Sequence, residues 1–217
     1  MNKNEVIDAL NKAREKSEKR NFVQSFDVII NLKDIDLKKP EQQVDFFGTL
    51  QHETGKKLRI CALVGPELEK EAKEVCDSVI MQADFPNYAK DKKASKKLAK
   101  SHDFFIAQSN VMPQIAGAFG KVLGPKGKMP NPKAGCVIPP KTNLRPLYER
   151  LQKTVKISAK TTPIIQCLVG KESMDNEKVA DNIIAVYEQI MHHLPNEKAN
   201  VKSVLIKTTM GEPVRLN

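Results

Sequence analysis

From Phe22 onward the chain alternates, with Phe26, Val28, Ile30 and Leu32 set against Ser25, Asp27 and Asn31. Period two is the mark of a half-buried strand. Before it, Asn4 to Lys19 predicts a helix whose apolar face is a thin stripe of Val6, Leu10 and Ala13 among charges. Lys57 to Val64 predicts a second strand with Leu58, Ile60, Ala62 and Val64 on one side, and the two strands are expected to pair. Gly65-Pro66 breaks the pattern, and short helices then alternate with short apolar strands. Glu67–Cys76, Lys92–Lys100 and Val111–Phe119 predict helices, and Ser78–Met81 and Phe104–Ala107 predict strands between them. That alternation predicts an α/β unit around a small parallel sheet.

Further on, Asn143–Lys153 predicts a helix, and the period returns to two at Val155–Lys160. There Val155, Ile157 and Ala159 form an apolar back while Lys156, Ser158 and Lys160 form a basic, hydrogen-bonding front. Ile164–Val169 is the expected partner strand. Glu177–Leu194 predicts the longest helix, with Val179, Ile183, Val186, Tyr187 and Ile190 at three- and four-residue spacing, a cap at Asp175 or Asn176 and a stop before Pro195. Val201–Thr208 predicts the last long strand. The expected architecture is an α+β end domain built from both termini, residues 1–66 plus 156–217, with an α/β domain containing a small parallel sheet inserted at 67–155.

Composition permits this and excludes other classes. A chain of 217 residues, 40% of them hydrophobic, buries a real core. No apolar run approaches the ~18 residues a membrane span needs, and the charged start from Met1 to Lys19 lacks the apolar stretch of a signal peptide, so a cytoplasmic location without membrane contact is expected. Cys61, Cys76, Cys136 and Cys167 lie far apart in mostly apolar runs, the usage of reduced core thiols.

Charge changes the picture more. Residues 86–145 hold 12 Lys+Arg against two acids, Asp91 and Asp103, so the remainder carries 36 − 12 = 24 basic and 26 − 2 = 24 acidic residues. One segment holds the whole excess of +10, which points to a polyanionic partner rather than to general solubility. Within it, Gly120 to Gly135 reads GKVLGPKGKMPNPKAG. Lys121, Lys126, Lys128 and Lys133 supply cations, the four glycines allow close approach and outward N–H groups, and Pro125, Pro130 and Pro132 keep the loop from continuing as a helix.

Enzyme readings fail on the same residues. A nucleotide-binding P-loop needs a second glycine where Pro125 stands and a hydroxyl where Met129 follows Gly127-Lys128. Neither G-x-G-x-x-G nor G-x-S-x-G occurs, and His52, His102, His192 and His193 lack partners at metal or triad spacing. No cofactor and no metal is expected. The alternative class is a general basic RNA chaperone or nucleic-acid-compacting protein, which would bind duplex DNA comparably.

Leu123 to Gly135, L-G-P-K-G-K-M-P-N-P-K-A-G, resembles the signature of the universal large-subunit ribosomal protein "L-one" family, proteins of the mobile stalk beside the tRNA exit site. Thr208-Thr209-Met210-Gly211 resembles that family's Thr-Met-Gly element, although Glu212 precedes Pro213 where the family usually has the proline directly. The Phe22 strand, the Phe47-Gly48-Thr49 turn region, the Val169-Gly170-Lys171 strand end and the Ala180-Asp181-Asn182 helix run collinear with the family over nearly the full chain. The N-P-K-A-G ending and the lysine-rich 90–100 segment resemble its archaeal members.

The resemblance implies two domains joined by two strands, no catalysed reaction, and four partners: large-subunit rRNA, the large ribosomal subunit, exit-site tRNA and the protein's own mRNA, whose translation such proteins repress. By position it implies rRNA contacts at Phe22, Lys156, Ser158, Lys160, Thr208, Thr209, Met210 and Gly211, where shape and 2′-hydroxyl contacts outweigh base reading. Lys121, Lys126, Lys128 and Lys133 are the expected tRNA or stalk contacts. Duller roles stay open: Phe22 and Met210 as core residues, Gly211 as a strand stop, and the lysine loop as partly packed between the domains.

Overall fold

A computed structural model of the chain describes residues 1–39, 42–140 and 142–216. In chain order the elements are helix α1 (Lys3–Glu15), strands β1 (Ser25–Leu32), β2 (Val44–Thr49) and β3 (Ile60–Val64), helix α2 (Glu69–Val75), strand β4 (Ser78–Met81), and helices α3 (Phe85–Lys90) and α4 (Lys92–Ser101). There follow strand β5 (Phe104–Gln108), helix α5 (Met112–Leu123), strand β6 (Val137–Ile138), helix α6 (Leu144–Gln152), strands β7 (Thr154–Ala159) and β8 (Ile164–Lys171), helix α7 (Asn176–His193), and strands β9 (Val201–Thr208) and β10 (Val214–Leu216). They divide into two compact units, Met1–Lys56 with Lys153–Asn217, and Lys57–Gln152.

The first unit is α+β. Its main sheet is antiparallel in the order β10-β9-β1-β8, with Phe26 opposite both Thr208 and Gly170. The alternation seen in the sequence is the burial pattern of β1, where Phe26, Val28, Ile30 and Leu32 are inside. Those side chains share a core with Val6, Leu10 and Ala13 of α1 and with Val179, Ile183, Val186 and Ile190 of α7. A separate two-stranded ladder joins β2 to β7. Gly48 on β2 permits that ladder to close, because a β-carbon there would press into the Ile157 side chain.

The second unit is α/β around an all-parallel sheet in the order β4-β3-β5-β6. Every residue of β3 is buried, as a central parallel strand requires. Cys61 and Leu63 of β3 and Phe105 and Ala107 of β5 pack with Phe85, Ala99, Ile115, Phe119 and Leu123 from helices α3, α4 and α5.

Three local expectations need correction. β3 does not pair with β1; it belongs to the second unit, whose first crossing lies at Lys57 rather than at 67. Alternation along 57–64 mimicked a half-buried strand because Lys57 and Arg59, which supply the polar positions, stop just short of the strand proper. β8 ladders with β1 and β7 with β2, so the expected β7–β8 pairing gives way to two longer-range ones. Phe47-Gly48-Thr49 is the end of strand β2 and not a turn. In addition, α1 stops at Glu15 rather than near Lys19, which releases Ser17 for contacts with Gln24 and Thr208.

Candidate nucleic-acid interface

Two segments meet at one end of the main sheet: the loop entering β1, residues 17–25, and the turn leaving β9, residues 208–211. Gln24 is the hub. Its side chain is 1% exposed, its amide nitrogen donates to Ser17 Oγ (2.8 Å) and to the Glu18 carbonyl (3.2 Å), and its Oε1 accepts the Met210 N–H at 3.1 Å. Thr209 closes the other side, with its hydroxyl oxygen accepting the Ser25 N–H at 3.0 Å. Thr208 is wholly buried; its hydroxyl lies 2.9 Å from Ser17 Oγ and accepts the Gly211 N–H at 3.0 Å. The polar groups of both segments are therefore satisfied inside, and the segments hold each other in place.

What they present outside is apolar. Phe22 is 52% exposed, Val23 55% and Met210 60%. Only Met1 and Ile164 join them as exposed large hydrophobics among the described residues, so three of five sit on these two abutting segments. Lys19 and Arg20 stand beside Phe22 in the same shallow depression, which Glu172 also lines, and Arg20 pairs with Glu18 at 2.8 Å. An apolar ring and a flexible thioether next to cations, on a braced backbone, suit the sugar edge and unstacked bases of a folded RNA.

Phe22, Thr209, Met210 and Gly211 of the expected contacts thus come together at the surface. Thr208 comes with them as the internal brace, its side chain out of reach of any ligand. Lys156, Ser158 and Lys160 do not join that cluster. Lys156 and Ser158 lie on β7 in the other ladder and Lys160 directly follows its last residue, with Lys156 and Lys160 exposed and Ser158 opposite Asp45. β7 runs on into β8, whose first residue Ile164 pairs with Asn31, at the opposite end of β1 from Ser25. Lys160 pairs with Asp45 at 2.7 Å. Burial pushes the Asp45 carboxyl up, but the Lys160 hydrogen bond and charge, helped by Lys156 and Ser158, outweigh it and hold the carboxyl below its ordinary value.

The lysine loop of the second unit is folded rather than extended. α5 ends at Leu123, Gly127 and Gly135 take positive φ, and Asn131 braces the loop by accepting the Lys133 N–H at 2.9 Å. Pro130, Ala134 and Cys136 are buried. Arg150 of α6 donates to the Ala134 carbonyl at 3.1 Å, so the loop is sewn to its own unit. Lys121, Lys126 and Lys133 remain exposed. Lys128 instead turns inward, its Nζ donating to the carbonyls of Ala99 (3.1 Å) and His102 (2.5 Å), where it caps the C-terminus of α4.

Ser17 and Gln24 escaped the sequence reading. Gln24 did leave a signal, since it continues the even-numbered register of Phe26, Val28, Ile30 and Leu32 and is the one polar side chain on that buried face. Ser17 left none. His102 lies 3.0 Å from Ser78 Oγ and His193 stacks on Phe46 with centroids 3.7 Å apart. Among the described residues no cluster of His, Cys, Asp and Glu could hold a metal, and no helix is long and apolar enough to cross a membrane.

Comparison with known proteins identifies the family. The model of the ribosomal protein L1p/L10e family matches residues 12–212. The protein named large ribosomal subunit protein uL1 of Methanobrevibacter smithii is 43% identical over 213 residues, 98% of each chain. The proteins of the same name from Methanocaldococcus jannaschii and Pyrococcus horikoshii are each 39% identical, over 100% and 97% of this chain and 96% and 94% of their own. With a family model spanning residues 12–212 and archaeal relatives matched over nearly their whole length, the chain belongs to the ribosomal protein L1p/L10e family, in its archaeal form.

Proposed function

We propose that this protein is a constituent of the large ribosomal subunit that holds a folded stretch of large-subunit rRNA on its end domain, working in the cytoplasm. As a member of a ribosomal protein family it is a structural protein and not an enzyme. The observation that carries the rRNA reading is the exposed Phe22–Met210 surface on a backbone braced by Gln24 and Thr208. Lys156 and Ser158 on β7 and Lys160 at its end add a second contact, which suits an RNA wide enough to touch both ladders.

The same reading includes two finer roles. Exposed Lys121, Lys126 and Lys133 supply point charges for the phosphates of exit-site tRNA or of the stalk, and so assist tRNA departure. An mRNA segment that copies the rRNA shape would occupy the Phe22–Met210 face and repress translation of the protein's own message. Both roles follow from the family resemblance and are compatible with the exposure of these residues.

The test is binding of the full chain to an rRNA stalk fragment by calorimetry. Met210→Asp should abolish tight binding, because a carboxylate would then face the RNA, while Lys126→Ala with Lys133→Ala weakens it little. The reverse ranking refutes the assignment. Comparable affinity for duplex DNA would favour a general nucleic-acid-compacting protein instead.

A further inference from the structure

Helix α4 carries five lysines, 92, 93, 96, 97 and 100, and no acid. Helix α2 of the same unit mixes signs, with Lys73 paired to Glu69 one turn away. Mixed sign is how a merely solvated helix offsets like-charge repulsion. On α4, Lys93, Lys96, Lys97 and Lys100 follow i, i+3, i+4, i+7 spacing, a single stripe about 10 Å long at 1.5 Å per residue. That stripe is one wall of a groove of about 550 Å³. The end of α5 and the loop after it bring Lys121 and Lys126 to the same groove, with Val122 and Pro125 as apolar lining. Among the described residues none of these six ammonium groups is in an ion pair.

The walls are fixed. Asp91 caps the start of α4 by accepting the N–H groups of Lys93 (2.8 Å) and Ala94 (3.1 Å), Ser95 Oγ donates to the Tyr88 carbonyl at 2.7 Å, and Lys128 ties the loop after α5 to the last turn of α4. Backbones held in this way keep the lysine stems converging on one channel, so their mutual repulsion persists until an anion enters.

We propose that this groove is a second RNA site, a cradle for one sugar–phosphate strand that is independent of nucleotide sequence. It holds six point charges and no arginine or aromatic side chain, so it has the means to neutralise phosphates and none to stack or read bases. Val122 and Pro125 offer surface to a ribose. The choice of RNA among polyanions rests on the ribosomal reading above. The site itself rests on α4 and α5 and goes beyond the loop lysines that the family signature contains.

The experiment is fluorescence anisotropy of the full chain with a labelled oligouridylate, at several salt concentrations between about 50 and 200 mM. Lys93→Gln, Lys96→Gln, Lys97→Gln and Lys100→Gln combined keep strong helix formers on an exposed face, so α4 stays folded, which circular dichroism verifies. That variant should lose at least tenfold in affinity, and the log–log salt slope should shrink by roughly 2 to 3, at about 0.7 per phosphate released. Lys121→Glu with Lys126→Glu on the other wall should lose affinity likewise. Unchanged affinity and slope in both variants overturns the proposal, as does retained oligouridylate binding with lost oligoglutamate binding, which would assign the groove to an acidic protein. Met210→Asp separates the two readings: it should spare oligouridylate binding, and if it also spares the rRNA fragment, the end-domain assignment fails while the groove result stands.

Discussion

The Thr208 hydroxyl accepts the Gly211 N–H at 3.0 Å, and a β-carbon on Gly211 would be driven into that same hydroxyl. The turn that presents Met210 is therefore closed by contact, not by a positive φ. Gly211→Ala should cost about 1–3 kcal/mol, the usual range for overpacking a site that cannot yield, and should weaken rRNA-fragment binding at least tenfold. Thr208→Val should cost about 1–2 kcal/mol by stranding the Gly211 amide and leaving the Ser17 hydroxyl with the Gln24 amide in place of two partners. The double variant, measured by urea denaturation, should fall short of the sum; strict additivity would show that the two residues do not act through one contact.

Lys128 and Lys126 look interchangeable in the sequence, and the structure gives them opposite work. Lys128→Ala removes the cap on the Ala99 and His102 carbonyls and should lower stability by about 1–2 kcal/mol. Lys126→Ala, at an exposed position, should stay within about 0.5 kcal/mol of the parent. Thermal unfolding of the two variants gives the comparison, and equal melting temperatures would remove Lys128 from its capping role.

Asp27 should make the protein less stable as pH rises through a defined window. Burial pushes its carboxyl above the ordinary 3.8, and Lys207, its partner in the β1–β9 register, offsets that only in part. Between 3.8 and the raised value the folded state binds more protons than the unfolded chain, so stability falls with pH across that interval and is flat above it. Asp27→Asn removes the effect. The variant's urea midpoint should gain on the parent's as pH climbs through the window and keep the gain at neutral pH; a variant that loses ground there contradicts the sign.

The thiols should be inert in the native state. Burial pushes Cys61 and Cys167 up to about 12, and Cys76 and Cys136 up to about 11, with nearby Asp77 and Glu71 adding to the effect at Cys76. At pH 8 less than about one thiol in a thousand is then thiolate, the nucleophilic form. Titration with an aromatic disulfide should find the native protein slow, Cys76 reacting first because it is the least enclosed, and all four reacting in guanidinium chloride. Rapid native reaction at Cys61 or Cys167 would mean that the core opens freely.

Elements whose side chains alternate or recur without interruption were legible from the chain alone. β1, β4, β9 and α7 fall within a residue or so of their sequence-derived spans apart from the start of β1, because one buried face imposes a regular pattern on each. β2 escaped as a strand, since four of its six positions are only half-buried or exposed and its pattern is irregular. Pairing escaped in the same way: a strand's pattern states how many of its faces are covered, and says little about which strand lies beside it. The functional residues divide along similar lines. Phe22, Met210 and the loop lysines were visible as residue types in unusual company, whereas the inward turn of Lys128 depends on a partner 26 residues away and the hub at Gln24 on one 186 residues away.

By itself, then, the sequence determined the class of the protein, the segment holding its excess charge and the stretches that had to become helix or strand, because composition and periodicity are local properties that survive without coordinates. Tertiary structure alone decided that β3 sits in the inserted unit, that Thr208 braces a surface it never reaches, and that lysines from two helices face one channel. Those facts arise from contacts between distant parts of the chain, where the direction of a side chain depends on what folds against it.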